Sequence, residues 1–200
     1  MNRRLAQGFQ GEASAADRPV ATAVVALGAN LGDRATTIDA AVYDLIRLPL
    51  TSAVRVATPI ESVAVTLDGP DTSAPAYLNT VAVLETRLAP SVLLGYLHAI
   101  EARHGRERRE RWGDRTLDLD LITYGDVTSD DPALLLPHPR AAERDFVLAP
   151  WLSIDPDAVL PGSGRVADLL AGLRGASGDR STPGAATDPG PALDGGGAAT

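Results

Sequence analysis

The sequence predicts one domain that mixes β-strands with α-helices, on three observations. Two hundred residues suit a single domain with a real core. Residues 77–86 and 117–124 alternate with the two-residue period of a strand. Between such segments lie stretches with apolar residues at helical spacing, bounded by proline or glycine.

Residues 1–19, polar and rich in Gly and Ala, read as a flexible extension. Val20 to Leu27 is an apolar run of strand length. Gly28-Ala-Asn-Leu-Gly-Asp33 follows as a structural turn, because its glycine spacing matches neither a phosphate loop nor a dinucleotide fingerprint. Asp33 or Thr36 caps a helix reaching about Leu48, with Ile38, Ala41, Val42, Leu45 and Ile46 on its apolar face and Pro49 ending it. Thr51 to Ala57 is a second strand, closed by Thr58-Pro59. Residues 61–76 form a long loop, a length typical of functional lids or disorder.

Tyr77 to Thr86 is the next strand, with Tyr77, Asn79, Val81 and Val83 on one face. A ring and an amide two residues apart suit a flat heterocycle, and equally a core tyrosine beside an edge asparagine. Pro90 opens a helix that runs to His104, with Leu93, Leu94, Leu97 and Ile100 inward and Gly105 as its stop. His98 and Glu101 share a neighbouring face, although a lone helical histidine is more often a surface or core residue.

The central stretch runs from Arg103 to Tyr124. Six of the chain's eighteen basic residues fall between Arg103 and Arg115, and all six are arginine. In the strand that follows, Leu117, Leu119 and Leu121 point to one face, and Asp118, Asp120 and Ile122 to the other. Two residues apart on a strand means about 6.5 to 7 Å along the chain, close enough to converge on one cation. Two like charges on one strand face repel unless something cationic sits between them. Mg²⁺ takes one or two carboxylates plus phosphate oxygens, and guanidinium groups fork onto phosphate. Together these residues point to a nucleotide with Mg²⁺. The plain alternative is a solvated sheet face beside a self-paired surface run.

Tyr124 to Pro132 is turn-like, and Leu134 to Leu136 is a short apolar run. His138, held between two prolines, suits a preorganised phosphate donor or a simple turn, and a short helical segment follows through Arg144. Phe146 to Leu152 is apolar, and Val166 to Leu173 forms a last short helix, so the domain spans 20–173. Residues 174–200, glycine-rich and with a single large aliphatic residue, Leu193, after Gly175, cannot bury enough surface to order and read as a disordered tail.

Composition excludes whole classes. No cysteine means no thiol catalysis, disulfide or thiolate metal site. No lysine removes the P-loop lysine and Schiff-base chemistry, so arginine must carry any charge work on ATP. A net charge of −8 makes the arginine run a local site for a small anion, with no nucleic-acid partner expected. With no signal-peptide stretch and no apolar run of membrane-span length, a cytoplasmic monomer without membrane association is expected.

The motifs Gly28-Ala-Asn-Leu-Gly-Asp33, Tyr77-Leu-Asn79, Gly105 to Gly113, Arg115-Thr-Leu-Asp-Leu-Asp120, Leu136-Pro-His-Pro-Arg140 and Arg144-Asp-Phe146 occur in one order. That order resembles the 6-hydroxymethyl-7,8-dihydropterin pyrophosphokinase family of folate biosynthesis, over roughly residues 20–172. The resemblance implies an α+β, ferredoxin-like fold, an antiparallel sheet flanked by helices. It implies transfer of the β,γ-pyrophosphoryl group of ATP to the pterin hydroxymethyl oxygen, giving the pterin diphosphate and AMP. Asp118 and Asp120 then look like ligands of two Mg²⁺ ions, with Asp118 also near the substrate hydroxyl.

The same resemblance makes Arg106 and Arg115 the arginines that stabilise the migrating phosphates, with Arg108 and Arg111 on the same loop and Trp112 closing over the pterin or nucleotide. His98, Glu101, Leu121, His138 and Arg144 fall at nucleotide positions. Tyr77, Asn79, Phe146 and the Thr58-Pro59 backbone fall at the pterin pocket, where Phe146 and a facing aromatic would sandwich the ring. Four features depart from the pattern. Asp114 replaces a common proline, Glu61 and Ser62 replace an apolar-glycine pair, His98 replaces a frequent glutamine, and the 61–76 segment differs in sequence. Two competing readings are an ATP-binding paralogue with impaired catalysis and a ferredoxin-like RNA-binding module. An aromatic content of 4% offers the second little to stack bases on.

Overall fold

The computed structural model describes residues 17–66, 69–71, 75–105 and 116–178. Its main sheet is built from β1 (Ala21–Ala29), β2 (Thr51–Val56), β3 (Ile60–Ser62), β6 (Tyr77–Thr86) and β7 (Asp118–Tyr124). The order across it is β2-β6-β1-β7, with β3 continuing the β2 edge along β6, and every pairing is antiparallel. Helix α1 (Arg34–Ile46) follows β1 and α2 (Pro90–Arg103) follows β6, which makes the βαββαβ order of a ferredoxin-like α+β fold.

Strand alternation splits the core into two layers. Val25 and Leu27 of β1, Leu84 of β6 and Leu117, Leu119 and Leu121 face α1 and α2 in one cluster. Val24, Val81, Val83 and Ile122 face the other way, against α3 (Asp145–Ile154) and α4 (Val166–Gly178). Asp33 caps α1 by accepting the Thr36 N–H at 3.1 Å. Gly105, at φ +86°, stops α2 in the left-handed region that glycine alone enters freely.

Several expectations need correction. β1 runs through Gly28 to Ala29, so the turn begins only at Asn30. Ile46 is 55% exposed rather than part of the apolar face of α1. Segment 61–76 is not a plain loop: β3 pairs with β6, and β4 (Ala64–Thr66) forms a hairpin with β5 (Gly69–Asp71). The stretch before His138 is likewise a hairpin, β8 (Ser129–Asp131) with β9 (Leu134–Leu136). Helix α4 extends to Gly178, past the residue where the tail was expected to begin. Among the described residues, no helix is long and apolar enough to cross a membrane.

Candidate active site

The acid pair stands where its alternation places it. Asp118 and Asp120 sit half-buried on the same side of β7 as Ile122, which belongs to the α3–α4 layer, while Leu119 between them is buried with the leucines. In the sheet register Gly28 pairs with Asn79 on one side and Asp118 on the other, and Ala26 pairs with Val81 and Asp120. The central strand thus contributes only a hydrogen atom and a methyl group between the expected pterin side and the expected phosphate side. A Cβ built on Gly28 would lie 3.0 Å from Asn79 Oδ1 and 3.9 Å from Tyr77 Cδ1. Glycine leaves a floor there.

β7 is an edge strand, and a cleft of about 210 Å³ wraps that edge. Its walls are His98 and Glu101 from α2, the β8–β9 hairpin, and His138; Asp118, Asp120 and Leu121 line it from β7. The hairpin wall escapes a sequence reading because its strands, three residues each, are too short to show a period. Glu101 is 1% exposed and accepts the Leu119 N–H at 3.0 Å, fastening α2 to β7 between the two acids. His98 is exposed at the cleft's side.

A register shift between β1 and β7 makes Ile122 an additional residue in the ladder. Such a bulge re-aims the chain beyond it. The Ile122 carbonyl accepts the His138 N–H at 2.8 Å, which seats His138 over the acids. His138 Nδ1 accepts the Arg140 N–H at 3.2 Å, so the ring proton sits on Nε2, 3.8 Å from Asp120 Oδ2. Burial lowers the His138 pKa, and Arg144 and Arg140 lower it further, against the raising pull of Asp120 and Asp118. The ring is a neutral donor at neutral pH.

Arg144 joins the two halves of the site. Its NH1 donates to Asp120 Oδ2 at 2.8 Å, and its guanidinium carbon lies 5.7 Å from the centroid of the Phe146 ring in the first turn of α3. Helix α3 packs on β6 and β3, the strands that carry Tyr77, Asn79 and Ser62. Asn79 is buried and donates from Nδ2 to Ser62 Oγ at 2.8 Å. Thr58 and Pro59 are exposed where the edge breaks between β2 and β3.

Arg106, Arg108, Arg111, Trp112 and Arg115, with Asp114, lie outside the described residues. Of the arginine run, Arg103 is described, and it pairs with Asp44 of α1 at 3.3 Å, with His104 on the same carboxylate at 3.0 Å. That arginine braces two helices.

The donor set fits Mg²⁺. Among the described residues, no three His, Asp or Glu side chains are grouped to cage a metal. Two half-buried carboxylates on one face are what a hard cation uses when substrate phosphates and water complete its shell.

This is a three-layer ferredoxin-like α+β domain with an acid pair at a cleft on its sheet edge, an architecture suited to transferring phosphoryl groups from a metal-bound nucleotide. Comparison with known proteins makes the class specific. Residues 24–156 match the family described as 7,8-dihydro-6-hydroxymethylpterin-pyrophosphokinase. The 2-amino-4-hydroxy-6-hydroxymethyldihydropteridine pyrophosphokinase of Pseudomonas aeruginosa is 43% identical over 74% of this chain and 88% of its own length. The Haemophilus influenzae protein of the same name is 38% identical over 74% and 91%. A crystal structure of wild-type Plasmodium falciparum HPPK-DHPS superposes with a TM-score of 0.61 at 12% identity, over 82% of this chain and 43% of that longer one, a likeness of fold. The chain belongs to the 7,8-dihydro-6-hydroxymethylpterin-pyrophosphokinase family, and as an enzyme it is an ATP-dependent pyrophosphokinase.

Proposed function

We infer that the chain carries out the reaction its family is named for. It transfers the pyrophosphoryl group of ATP to the hydroxymethyl group of 6-hydroxymethyl-7,8-dihydropterin, yielding the pterin diphosphate and AMP for folate biosynthesis. The observation that carries the reading is the row Asn79–Gly28–Asp118 across three strands of one sheet face. It sets a heterocycle-reading amide and a metal-binding acid on either side of a residue with no side chain.

Tyr77, Asn79, Phe146 and the Thr58-Pro59 backbone hold the pterin. The Asn79 amide offers both a donor and an acceptor to its edge, and Phe146 offers a face to stack on. His98, Glu101, Leu121, His138 and Arg144 line or brace the nucleotide side, where neutral His138 donates Nε2–H to a phosphate oxygen. Asp118 and Asp120 hold Mg²⁺, in two ions, and Asp118 also receives the substrate hydroxyl's hydrogen bond. Bound there, Mg²⁺ would supply the positive charge that neutralises the transferring group. Arg106 and Arg115 stabilise the migrating phosphates, Arg108 and Arg111 accompany them, and Trp112 covers the ring. The unit that works is the domain expected over residues 20–173, extended to the end of α4 at Gly178, as a monomer on small substrates. Among the described residues, helices cover both sheet faces, where base stacking would need an open one, and this favours the pyrophosphokinase over RNA binding.

The test is product analysis. Incubation with ATP, Mg²⁺ and 6-hydroxymethyl-7,8-dihydropterin yields AMP and pterin diphosphate by chromatography. ADP as the nucleotide product, or nucleotide binding without product, overturns the reading.

A further inference from the structure

We propose that Arg34 and Glu61 form a latch that presets the pterin pocket from the opposite face of the sheet, as positioning residues for substrate binding. The inference rests on the pterin reading of Asn79 and Tyr77.

Arg34 opens α1, and its guanidinium reaches the 61–76 segment at both ends. NH2 donates to Glu61 Oε1 at 2.8 Å, and NH1 to the Ala76 carbonyl at 2.5 Å. A planar fork suits two acceptors at once. The residues next to the two gripped positions are Ser62 and Tyr77. Register pairs Glu61 with Leu78, which packs on the α1–α2 core, whereas Ser62 pairs with Tyr77 and Ile60 with Asn79 on the other face. Alternation therefore keeps the ion pair out of the pocket and passes its effect through the β3 backbone. Ser62 Oγ receives the Asn79 Nδ2–H at 2.8 Å, which turns Asn79 Oδ1 toward Gly28.

β3 has three residues and pairs with β6 alone among the described strands, so its seat on the sheet is easily shifted. The Arg34 and Glu61 side chains are 30% and 64% exposed. An ion pair that open adds little to global stability and is screened by salt. Its leverage is on where β3 lies, and hence on how Ser62 sets the amide.

The experiment measures KM for pterin and for ATP, kcat and Tm in Arg34→Ala, Glu61→Ala, the reversed pair Arg34→Glu with Glu61→Arg, and Asn79→Ala. Each single latch variant raises pterin KM by about threefold to fivefold, with kcat, ATP KM and Tm unchanged. The reversed pair recovers part of the loss. High salt raises pterin KM in the native chain but not in Glu61→Ala. A raised KM in Asn79→Ala beside an unchanged one in Glu61→Ala overturns the latch alone, as does a lowered Tm with KM unmoved. An unchanged KM in Asn79→Ala overturns the pocket reading and the latch with it.

Discussion

Glu101 Oε1 accepts the Leu119 N–H at 3.0 Å, so a buried side chain of α2 holds the backbone N–H of the one residue between Asp118 and Asp120. Glu101→Ala leaves that amide without its acceptor and opens a gap in the cleft wall. Leaving a buried donor without its acceptor costs about 1 to 3 kcal/mol. The variant should lose stability on that order in urea unfolding, and kcat should fall with it as the acids lose their fixed spacing. Glu101→Gln keeps an acceptor oxygen and should lie between the two.

Asp118→Ala and Asp120→Ala should each lower turnover by on the order of a thousandfold, because positioning and charge neutralisation supply most of the acceleration in phosphoryl transfer. The fold should survive both, since each side chain is half-buried and neither is part of the leucine layer. Asp120→Ala also releases the Arg144 guanidinium from its 2.8 Å contact. Arg144 neighbours Phe146, so pterin KM should rise in Asp120→Ala more than in Asp118→Asn. AMP formation with denaturation curves on the same samples checks both parts.

Gly28→Ala places a methyl group about a tight van der Waals distance from Asn79 Oδ1, at 3.0 Å. The neighbour is a side-chain amide that can turn, so the stability change should stay within about 1 kcal/mol. A turned amide no longer meets the ligand edge as it did. Pterin KM should rise about tenfold, equivalent to ~1.4 kcal/mol of binding, while ATP KM holds. Equal effects on the two KM values would argue for a general distortion of β1.

The long elements and the acid pair were legible from residue pattern alone. β6 is a run of strand length buried on both faces from Asn79 to Leu84, and α2 is framed by Pro90 and Gly105, so propensity, length and punctuation agree. Asp118 and Asp120 are a period-two signal in themselves. What the pattern hides is the shortest strands. β3 and the β8–β9 hairpin are three residues long, too short to show a period, and they form the pocket edge and the cleft wall. The bulge at Ile122 is equally silent: it returns Tyr124 to the leucine layer, out of step with the alternation before it. The Arg34–Glu61 pair, 27 residues apart in sequence, needs the sheet to bring it together.

Tyr124 gives the domain a pH limit on its alkaline side. Its hydroxyl is buried and donates to the Leu88 carbonyl just ahead of α2, and burial raises its pKa above the ordinary tyrosine value, against a lowering pull from Arg18. A folded-state pKa above the unfolded one means that stability is complete below the unfolded pKa. It is then lost as pH climbs toward the folded value, because the unfolded chain releases the proton first. Urea midpoints should therefore hold steady from pH 7 to about 9 and fall above about pH 10. Tyr124→Phe removes the hydrogen bond and should cost about 1 kcal/mol near pH 8. Its midpoint should decline less than that of the native chain above about pH 10, so the two curves converge there. Parallel curves across that range would show that the alkaline loss arises elsewhere.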